Sequence, residues 1–337
     1  VAAAKVAVLG AGSIGCFVGG AWQQAGLPVT FIGRSRIGEE IRNRGLKLTD
    51  YAGWEAEFAP NDLDYSSDPA RLADAEIIAV CVKSGATADA AREIAEHGSD
   101  GALVISFQNG VSNVDVLERQ LGGRVEVARG MVRFNVVQLG PGQFHKAVAG
   151  DLYAEDLPRT RTLAAQVAGG PAELQLSDDM VALAWGKLLI NLNNAVSALS
   201  GRTLVEELSQ RDYRRVFAAS MREGLKLLKR AGIRPAQVGP VPPRLLPKII
   251  GAPDLLFRNF FAKKWKIDAK ARSSMADDLA AERKTEVDYL NGELVRLAEM
   301  LGRDAPVNRA IVRLVHEAEA GAKPLGPAAL RRAVLGR

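Results

Sequence analysis

An α/β domain built on a doubly wound parallel sheet, followed by an all-helical domain, is the architecture this sequence predicts, and three observations predict it. An apolar run at residues 5–9 leads directly into glycines at 10, 12 and 15. Short apolar, β-branched runs at 76–82 and 103–106 each precede a segment of helical character, the rhythm of a parallel sheet covered on both faces. Beyond residue 177 the patterning becomes helical almost throughout. With 337 residues, 47% of them hydrophobic and 25% charged, the chain is too long for one typical core, and it divides at 1–176 and 177–337.

The opening stretch, K-V-A-V-L-G-A-G-S-I-G at residues 5–15, is a physical device. Gly10 permits a tight turn, Gly12 lets a diphosphate touch the backbone, and Gly15 lets the next helix press against the strand. The helix is predicted over 13–25, so the amides around Ser13, Ile14 and Gly15 and the positive end of the helix dipole face the phosphates. Gly26 ends that helix, and residues 28–32 form a second strand. The result is a complete Rossmann-type βαβ unit, and a dinucleotide is its predicted ligand.

What ends the second strand discriminates between dinucleotides. Chains that hold NAD usually place Asp or Glu there for the ribose hydroxyls, whereas this one has Ile32, Gly33, Arg34, Ser35 and Arg36. A carboxylate repels a 2′-phosphate and a guanidinium pairs with it. NADP(H) is therefore predicted, with Arg34 the main contact and Arg36 assisting; the alternative is that both are solvated loop residues.

Ligands of such sheets sit beyond the carboxyl ends of the strands, so Lys83 with Ser84, and Gln108 with Asn109 and Gly110, fall where cofactor and substrate meet. Strands are further predicted at 125–128, 131–137 and 144–153, with a hairpin at Gly140, Pro141 and Gly142. A helix at 162–168 closes the first domain.

Composition excludes several functions. A charge of +5 comes from scattered Lys and Arg, dense only at 262–266 and near the end of the chain, so no basic stripe tracks a nucleic acid. A mild positive field instead attracts an anionic cofactor and substrate. No apolar run approaches the span of a bilayer, no basic-then-apolar leader is visible, and Val1 implies a processed start. Two cysteines, Cys16 and Cys81, without metal-ligand spacing predict a reducing, cytoplasmic setting, and with three histidines and no Cys/His cluster no metal site is expected.

In the helical half, Ser177 or Asp178 caps a predicted helix running to about Leu199, where Ser200 and Gly201 end it, and a second helix spans 211–230. Pro235, Pro240, Pro242, Pro243, Pro247 and Pro253 then prevent regular helix. The stretch to about Arg272, with Phe257, Phe260, Phe261 and Trp265, is open between a lid, an interface and a pocket wall.

Within 180–199 nearly every side chain is apolar, the mark of a buried helix. Lys187, Asn191 and Asn194 are the main exceptions, and at about 100° per residue they fall within an arc of about 60°. Such groups cannot be buried without partners. Either neighbouring protein groups satisfy them, or they line a cleft that receives a polar ligand. Chemistry favours the cleft, because a ketone accepting a hydride also needs a proton and charge stabilisation at its oxygen, and lysine supplies both. His97, His145 and His316 fall at a helix end, a hairpin and a late helix, and none competes for that role.

Taken together, the chain resembles the ketopantoate reductase family over nearly its whole length. The resemblance rests on G-A-G-S-I-G at 10–15, V-K at 82–83, Q-N-G at 108–110, W-G-K-L-L-I-N at 185–191, and S-S-M-A-D-D followed by K-T-E-V-D-Y-L-N-G between 273 and 292. It implies an NADPH-binding Rossmann domain with a helical C-terminal domain, and reduction of a branched 2-keto acid to the 2-hydroxy acid in pantothenate biosynthesis. It further implies that Lys187 is the general acid, that Glu286 hydrogen-bonds near the same oxygen, and that Ser274 binds the substrate carboxylate. Asn191 would bind polar groups of the substrate, while Lys83 and Asn109 would border the nicotinamide ribose and the substrate. The family's second substrate-binding asparagine falls at Ala195 in this chain. Asn194, one residue earlier, stands about 100° around the helix, so it meets the substrate from another direction or does a different job.

These roles demand a bend. In one unbroken helix Ser274 and Glu286 stand about 18 Å apart along the axis and about 120° apart around it, too far to share a small acid. Thr285 suits an N-cap, with Asp288 three residues on, which predicts a new helix from Glu286 to about Met300 closed by Gly302. Three functions stay open: reduction of 2-dehydropantoate; reduction of a bulkier or aromatic 2-keto acid, for which the long stretch 233–272 leaves scope; and a dinucleotide-binding sensor without turnover. A homodimer is expected from the resemblance and from 257–265 as an exposed apolar patch.

Overall fold

The computed structural model describes residues 3–257 and 271–336; Phe260, Phe261, Trp265 and the basic cluster at 262–266 lie outside the described residues. The chain divides into two compact units, Val1–Met180 and Val181–Arg337.

In the first unit, β1 (Val6–Leu9), α1 (Ser13–Gln24) and β2 (Val29–Ile32) form the opening βαβ unit, with Gly26 at φ 94° closing the helix. α2 (Ser35–Arg44), β3 (Leu46–Asp50), β4 (Glu55–Phe58) and β5 (Asp64–Ser66) follow, where the pattern predicts no element. Alternation resumes with β6 (Ile77–Val80), α3 (Thr87–His97), β7 (Leu103–Ser106), α4 (Asn113–Leu121) and β8 (Glu126–Val132). β9 (Val136–Gly140), β10 (Gln143–Lys146), β11 (Leu152–Glu155), α5 (Pro158–Gln166) and β12 (Leu174–Ser177) complete the unit.

Eight strands form one sheet in the order β12-β11-β8-β7-β6-β1-β2-β5, parallel except where β11 meets β8. β1 pairs with β2 on one side and β6 on the other, so the winding reverses there, and the crevice of such folds opens at that point. β1, β6 and β7 are buried at every position, which explains their unbroken apolar reading.

A second sheet, in the order β4-β3-β10-β9, covers the other side of α1. A Cβ on Gly19 would come within 2.5 Å of the Phe31 ring, and one on Gly20 within 2.5 Å of the Leu48 side chain. Two adjacent glycines thus let both sheets close on one helix, and α1 is buried from Gly15 to Trp22.

The strands predicted at 131–137 and 144–153 are each divided in two. β8 ends at Val132 before β9 starts at Val136, and β10 ends at Lys146 before β11 starts at Leu152, because the chain crosses to the small sheet and returns. Gly150 permits the return, since a Cβ there would lie 2.3 Å from the Arg133 carbonyl oxygen. The hairpin at 140–142 joins β9 to β10 as predicted, with Gly142 at φ 70°. α5 starts earlier than predicted, on Pro158, whose ring suits a first helical turn.

Among its described residues the second unit is built of helices joined by loops, with no strand: α6 (Met180–Asn191), α7 (Asn193–Ser200), α8 (Leu204–Ser209), α9 (Arg211–Arg230), α10 (Leu246–Ile250), α11 (Ser274–Ala280), a 3-10 turn at Val287–Tyr289, α12 (Asn291–Met300), α13 (Pro306–Glu319) and α14 (Pro327–Leu335). The single helix predicted to reach Leu199 is two pieces. The ladder breaks at Leu192, which keeps helical angles (φ −56°, ψ −23°), while Asn193 beyond it turns its side-chain amide onto Glu207 (3.0 Å). α9 is the central helix, and at Gly224 it admits Leu189 of α6 and Leu294 of α12 close to its backbone.

The proline-rich segment is not wholly without helix. α10 is a short turn with Pro247 at its start, where the ring displaces no hydrogen bond. Arg214 of α9, fully buried, holds this region by donating to the carbonyls of Leu208 (2.9 Å), Ile250 (3.0 Å) and Ala252 (3.0 Å) and pairing with Asp254 (2.8 Å). Its guanidinium lies 4.2 Å from the centre of the Phe257 ring, which is 2% exposed, so Phe257 is no part of the apolar surface patch expected at 257–265.

Candidate active site

β1 and β6 end in register, Leu9 opposite Val80, so the turn after β1 runs beside residues 81–83. Gly10 adopts φ 103°, and a Cβ on it would lie 2.5 Å from the Val82 amide nitrogen, so both backbone angle and space require glycine. The amides of Gly10 and Ala11 both donate to the Ile32 carbonyl at 2.9 Å, tying the turn to the end of β2. A Cβ on Gly15 would stand 2.3 Å from the Gly10 carbonyl oxygen, which is how closely helix and turn pack. Gly12 is different: nothing lies within 4 Å of where its Cβ would be. No side chain caps α1 and no acidic residue stands in its first turn, so the half-buried Ser13 and Ile14 open a helix whose end suits an anion. An open glycine flank beside uncapped amides fits a diphosphate. Burial pushes the Cys81 thiol up to about 12 and raises that of Cys16 as well, so neither is a nucleophile here.

Gly33 packs against this turn, a Cβ on it lying 2.9 Å from that of Ala11, and so sets Arg34 beside the glycines. The Tyr65 hydroxyl donates to the Arg34 carbonyl (2.9 Å) and fixes its backbone. Arg34 is exposed, and among the described residues no hydrogen bond or ion pair engages its guanidinium. Arg36 is occupied: it pairs with Glu40, which also accepts from the Gln138 side chain (2.6 Å) and the Gly142 amide (3.2 Å).

Lys83 is exposed at the head of a 3-10 turn, Ser84–Ala86, and Asn109 is half-buried just past β7. β6 and β7 also end in register, Val80 opposite Ser106, so these two loops leave the sheet side by side. Gln108 is 7% exposed and bonds to interior groups.

In the second unit, every side chain from 187 to 200 is buried except Lys187, Ile190, Asn191 and Asn194. The three polar residues are each half-buried and form a stripe along one flank of the helix pair. Gly186 in the W-G-K sequence has a reason that the pattern alone does not give. A Cβ on it would lie 2.3 Å from the Ala236 carbonyl oxygen, and the Ala236 amide donates to Ala182 (2.8 Å), so residues 236–238 cross α6 next to Lys187.

Ser273 is the residue that caps α11. Its hydroxyl oxygen accepts from the Ala276 amide (3.1 Å), and its proton goes to the Asn194 carbonyl (3.1 Å). Ser274 is the exposed first residue of that helix, held by this bond close to the Asn194 backbone. Sequence reasoning missed Ser273; the doubled serine before M-A-D-D is its signal.

The chain bends between Ser274 and Glu286 as the geometry requires: α11 ends at Ala280 and Glu282 turns at φ 51°. The predicted helix starting at Glu286 is corrected, because Glu286 precedes the 3-10 turn and α12 starts at Asn291. Its partial capping box is absent, since Asp288 pairs with His316 (3.1 Å) and the Thr285 hydroxyl donates to Glu319 (2.7 Å). Gly302, at φ 61°, closes α12. Burial pushes the Glu319 carboxyl up, but hydrogen bonds from Thr285 and Lys284 outweigh that and hold it below its ordinary value.

Among the described residues, no cluster of His, Cys, Asp and Glu could hold a metal ion, and no helix is long and apolar enough to cross a membrane. A cavity of about 660 Å³ opens at the amino ends of β1 and β2, lined by Lys5, Gln23, Thr30 and Arg71, away from the strand ends where these loops gather.

Known proteins share this architecture. The family described as "Ketopantoate reductase PanE/ApbA" matches residues 6–159, and its C-terminal family, "Ketopantoate reductase PanE/ApbA C terminal", matches 179–319. A 2-dehydropantoate 2-reductase of Halobacterium salinarum is 29% identical over 94% of this chain and 99% of its own. The crystal structure of a PanE/ApbA family ketopantoate reductase from Ralstonia eutropha superposes with a TM-score of 0.80 at 30% identity, covering 94% of this chain and 98% of that one. A D-mandelate dehydrogenase, solved with NADH and anilino(oxo)acetate, shares the fold at 21% identity with a TM-score of 0.77, covering 94% and 98% of the two chains. With both parts of the chain matched in order, it belongs to the ketopantoate reductase family of oxidoreductases.

Proposed function

We propose that this chain reduces a branched 2-keto acid, 2-dehydropantoate first among them, to the 2-hydroxy acid with NADPH. The observation that carries this reading is Lys187, a half-buried ammonium that shares one flank of an apolar helix pair with Asn191 and Asn194.

Reduced nicotinamide, when bound, supplies a hydride to the keto carbon. Lys187 donates a hydrogen bond to the keto oxygen, stabilises the charge growing there and gives up a proton, so that C=O becomes CH–OH. Glu286 accepts a hydrogen bond beside that oxygen and keeps the ammonium oriented. Ser274 donates to the substrate carboxylate without adding charge, and Asn191 and Asn194 meet the remaining polar groups. Gly10, Gly12, Ser13, Ile14 and Gly15 receive the diphosphate, Arg34 the 2′-phosphate, and Lys83 and Asn109 the nicotinamide ribose. The nicotinamide cofactor suits the family; the preference for NADPH rests on Arg34 and on the lack of a carboxylate directly after β2. A homodimer belongs to the same reading, and light scattering tests it.

The test is NADPH oxidation by the purified chain against 2-dehydropantoate, a smaller branched 2-keto acid and an aromatic one. Wild type is expected to prefer 2-dehydropantoate, and Lys187→Ala to lose roughly a thousand-fold in kcat while still binding NADPH. Faster turnover of the aromatic acid would reassign the substrate and leave the mechanism. Binding of NADPH with no acid reduced would leave a sensor.

A further inference from the structure

Beneath the two loops that carry Lys83 and Asn109 lies a set of polar side chains, each 7% exposed or less: Ser84, Thr87, Ser106, Gln108 and Asn113. Their hydrogen bonds form one connected network. Ser106 donates to the Gln108 side-chain oxygen (3.0 Å), and the Gln108 amide donates to the Thr87 hydroxyl (2.8 Å). The single Thr87 hydroxyl proton is shared between Asn113 Oδ1 (2.8 Å) and the Ser84 carbonyl (2.8 Å), and Asn113 Nδ2 donates both to the Ser84 hydroxyl (3.3 Å) and to the Asn109 carbonyl. Ser84 passes its own proton to that carbonyl (2.8 Å). The network runs from the end of β7 to two backbone oxygens, those of Ser84 and Asn109, and so ties the two loops together.

Loops beyond strand ends are ordinarily the mobile parts of such sheets. An apolar cluster would bury these two with no polar group to satisfy, whereas a fully satisfied polar network in a low dielectric fixes geometry as well as contact. Here it ends on the carbonyl of Asn109 and on the residue that follows Lys83. We infer that Asn113 and Ser84 are positioning residues, which hold Lys83 and Asn109 at a fixed separation for the nicotinamide end of the dinucleotide. This rests on the proposed roles of Lys83 and Asn109. Neither Asn113 nor Ser84 needs to touch the ligand; each acts through the Asn109 carbonyl.

Two ligands separate positioning from general folding. NADPH reaches the nicotinamide end, whereas ADP-ribose bearing a 2′-phosphate engages only the glycine turn and Arg34. Asn113→Leu, close to isosteric and unable to donate, is expected to weaken NADPH binding about ten-fold and lower kcat by about as much. Binding of 2′-phospho-ADP-ribose should stay within about two-fold. Ser84→Ala, a smaller change, should act in the same direction even if Asn113→Leu folds poorly. In a Lys83→Ala/Asn109→Ala background, either substitution should add nothing further. Equal weakening of both ligands, or full additivity in that background, would reduce the network to scaffolding and overturn the inference. If Lys83→Ala and Asn109→Ala leave NADPH turnover unchanged, the roles assigned to those two residues fail first and this inference goes with them. If those two matter and Asn113→Leu and Ser84→Ala do not, only the inference fails.

Discussion

Glu319 takes both hydrogen-bond donors of Thr285 on one oxygen, the amide at 2.8 Å and the hydroxyl at 2.7 Å, while Lys284 reaches its other oxygen at 2.9 Å. The last residue of α13 thereby fixes the turn that presents Glu286. Glu319→Ala leaves those donors without their acceptor and is expected to cost about 2–3 kcal/mol of stability, read from urea unfolding. Glu319→Gln keeps an acceptor oxygen for Thr285 and should recover much of the loss. Because the carboxyl is held below its ordinary value in the folded chain, its contribution is present above the ordinary glutamate pKa and disappears as pH falls through the lowered one. A wild-type and Glu319→Gln difference that persists unchanged into acid would contradict this account.

Arg34 stands beside the glycine turn, and the proposed function gives it the 2′-phosphate of NADPH. Arg34→Glu replaces attraction with repulsion, and KM for NADPH should rise about 10- to 100-fold while that for NADH changes little. Arg36→Ala should shift either value by less than about three-fold, since Glu40 already holds that guanidinium. Steady-state kinetics with both cofactors measures this, and equal effects on the two would remove Arg34 from the discrimination.

Glu207 is fully buried, and it accepts the Asn193 amide through one oxygen at 3.0 Å. Its other oxygen and Asn193 Oδ1 have no partner among the described residues, and a single carboxyl proton would satisfy both by closing an acid–amide pair. Burial pushes this carboxyl up to about 8, against the opposing pulls of Asn193 and of Arg214 on α9; Tyr213 is the other titratable group it faces there. A carboxyl with a raised folded pKa binds its proton more tightly when native. Its stabilisation is therefore complete below the ordinary glutamate value and lost as pH rises toward about 8, levelling off above. Unfolding free energies between about pH 5 and pH 8 should fall accordingly, and Glu207→Gln should flatten that slope. A slope identical in the variant would mean that another group sets it.

Gly186 allows the backbone of residues 236–238 to lie on α6. Gly186→Ala would put a methyl 2.3 Å from the Ala236 carbonyl oxygen, and the proline-rich strap must lift. A loss of about 1–3 kcal/mol is expected, with weaker binding of the keto acid than of the cofactor, because the strap crosses beside Lys187. Calorimetry and KM for each substrate separate the two effects.

The parts of the fold that were legible are those in which local pattern and tertiary role coincide. β7 runs over Leu103–Ser106 and α9 over Arg211–Arg230 as predicted, one a wholly buried apolar run and the other a strongly two-faced helix. Of the small sheet only the β9–β10 hairpin was legible; β3 and β4 were not, because β3 is held by a distant partner: Thr49 on β3 bonds to His145 on β10, 96 residues away. The candidate site divides the same way. Lys187, Asn191 and Asn194 betray themselves as polar residues on an apolar helix. Ser273 and Glu319 are harder to read, since one serves a backbone carbonyl 79 residues back and the other a threonine 34 residues back; the doubled serine is a local trace of the first, and the second leaves none.

With Phe31 against Gly19 and Leu48 against Gly20, α1 is a shaft seated in two bearings. Packing on both sides leaves it little room to roll or slide, and so sets the direction of its amino end. On the proposed reading, a diphosphate would meet donors already turned toward it, and little of its affinity would go into ordering them. A methyl at either glycine would therefore be felt at the far tip of the helix, in the grip on the cofactor, before it was felt in the stability of the sheets.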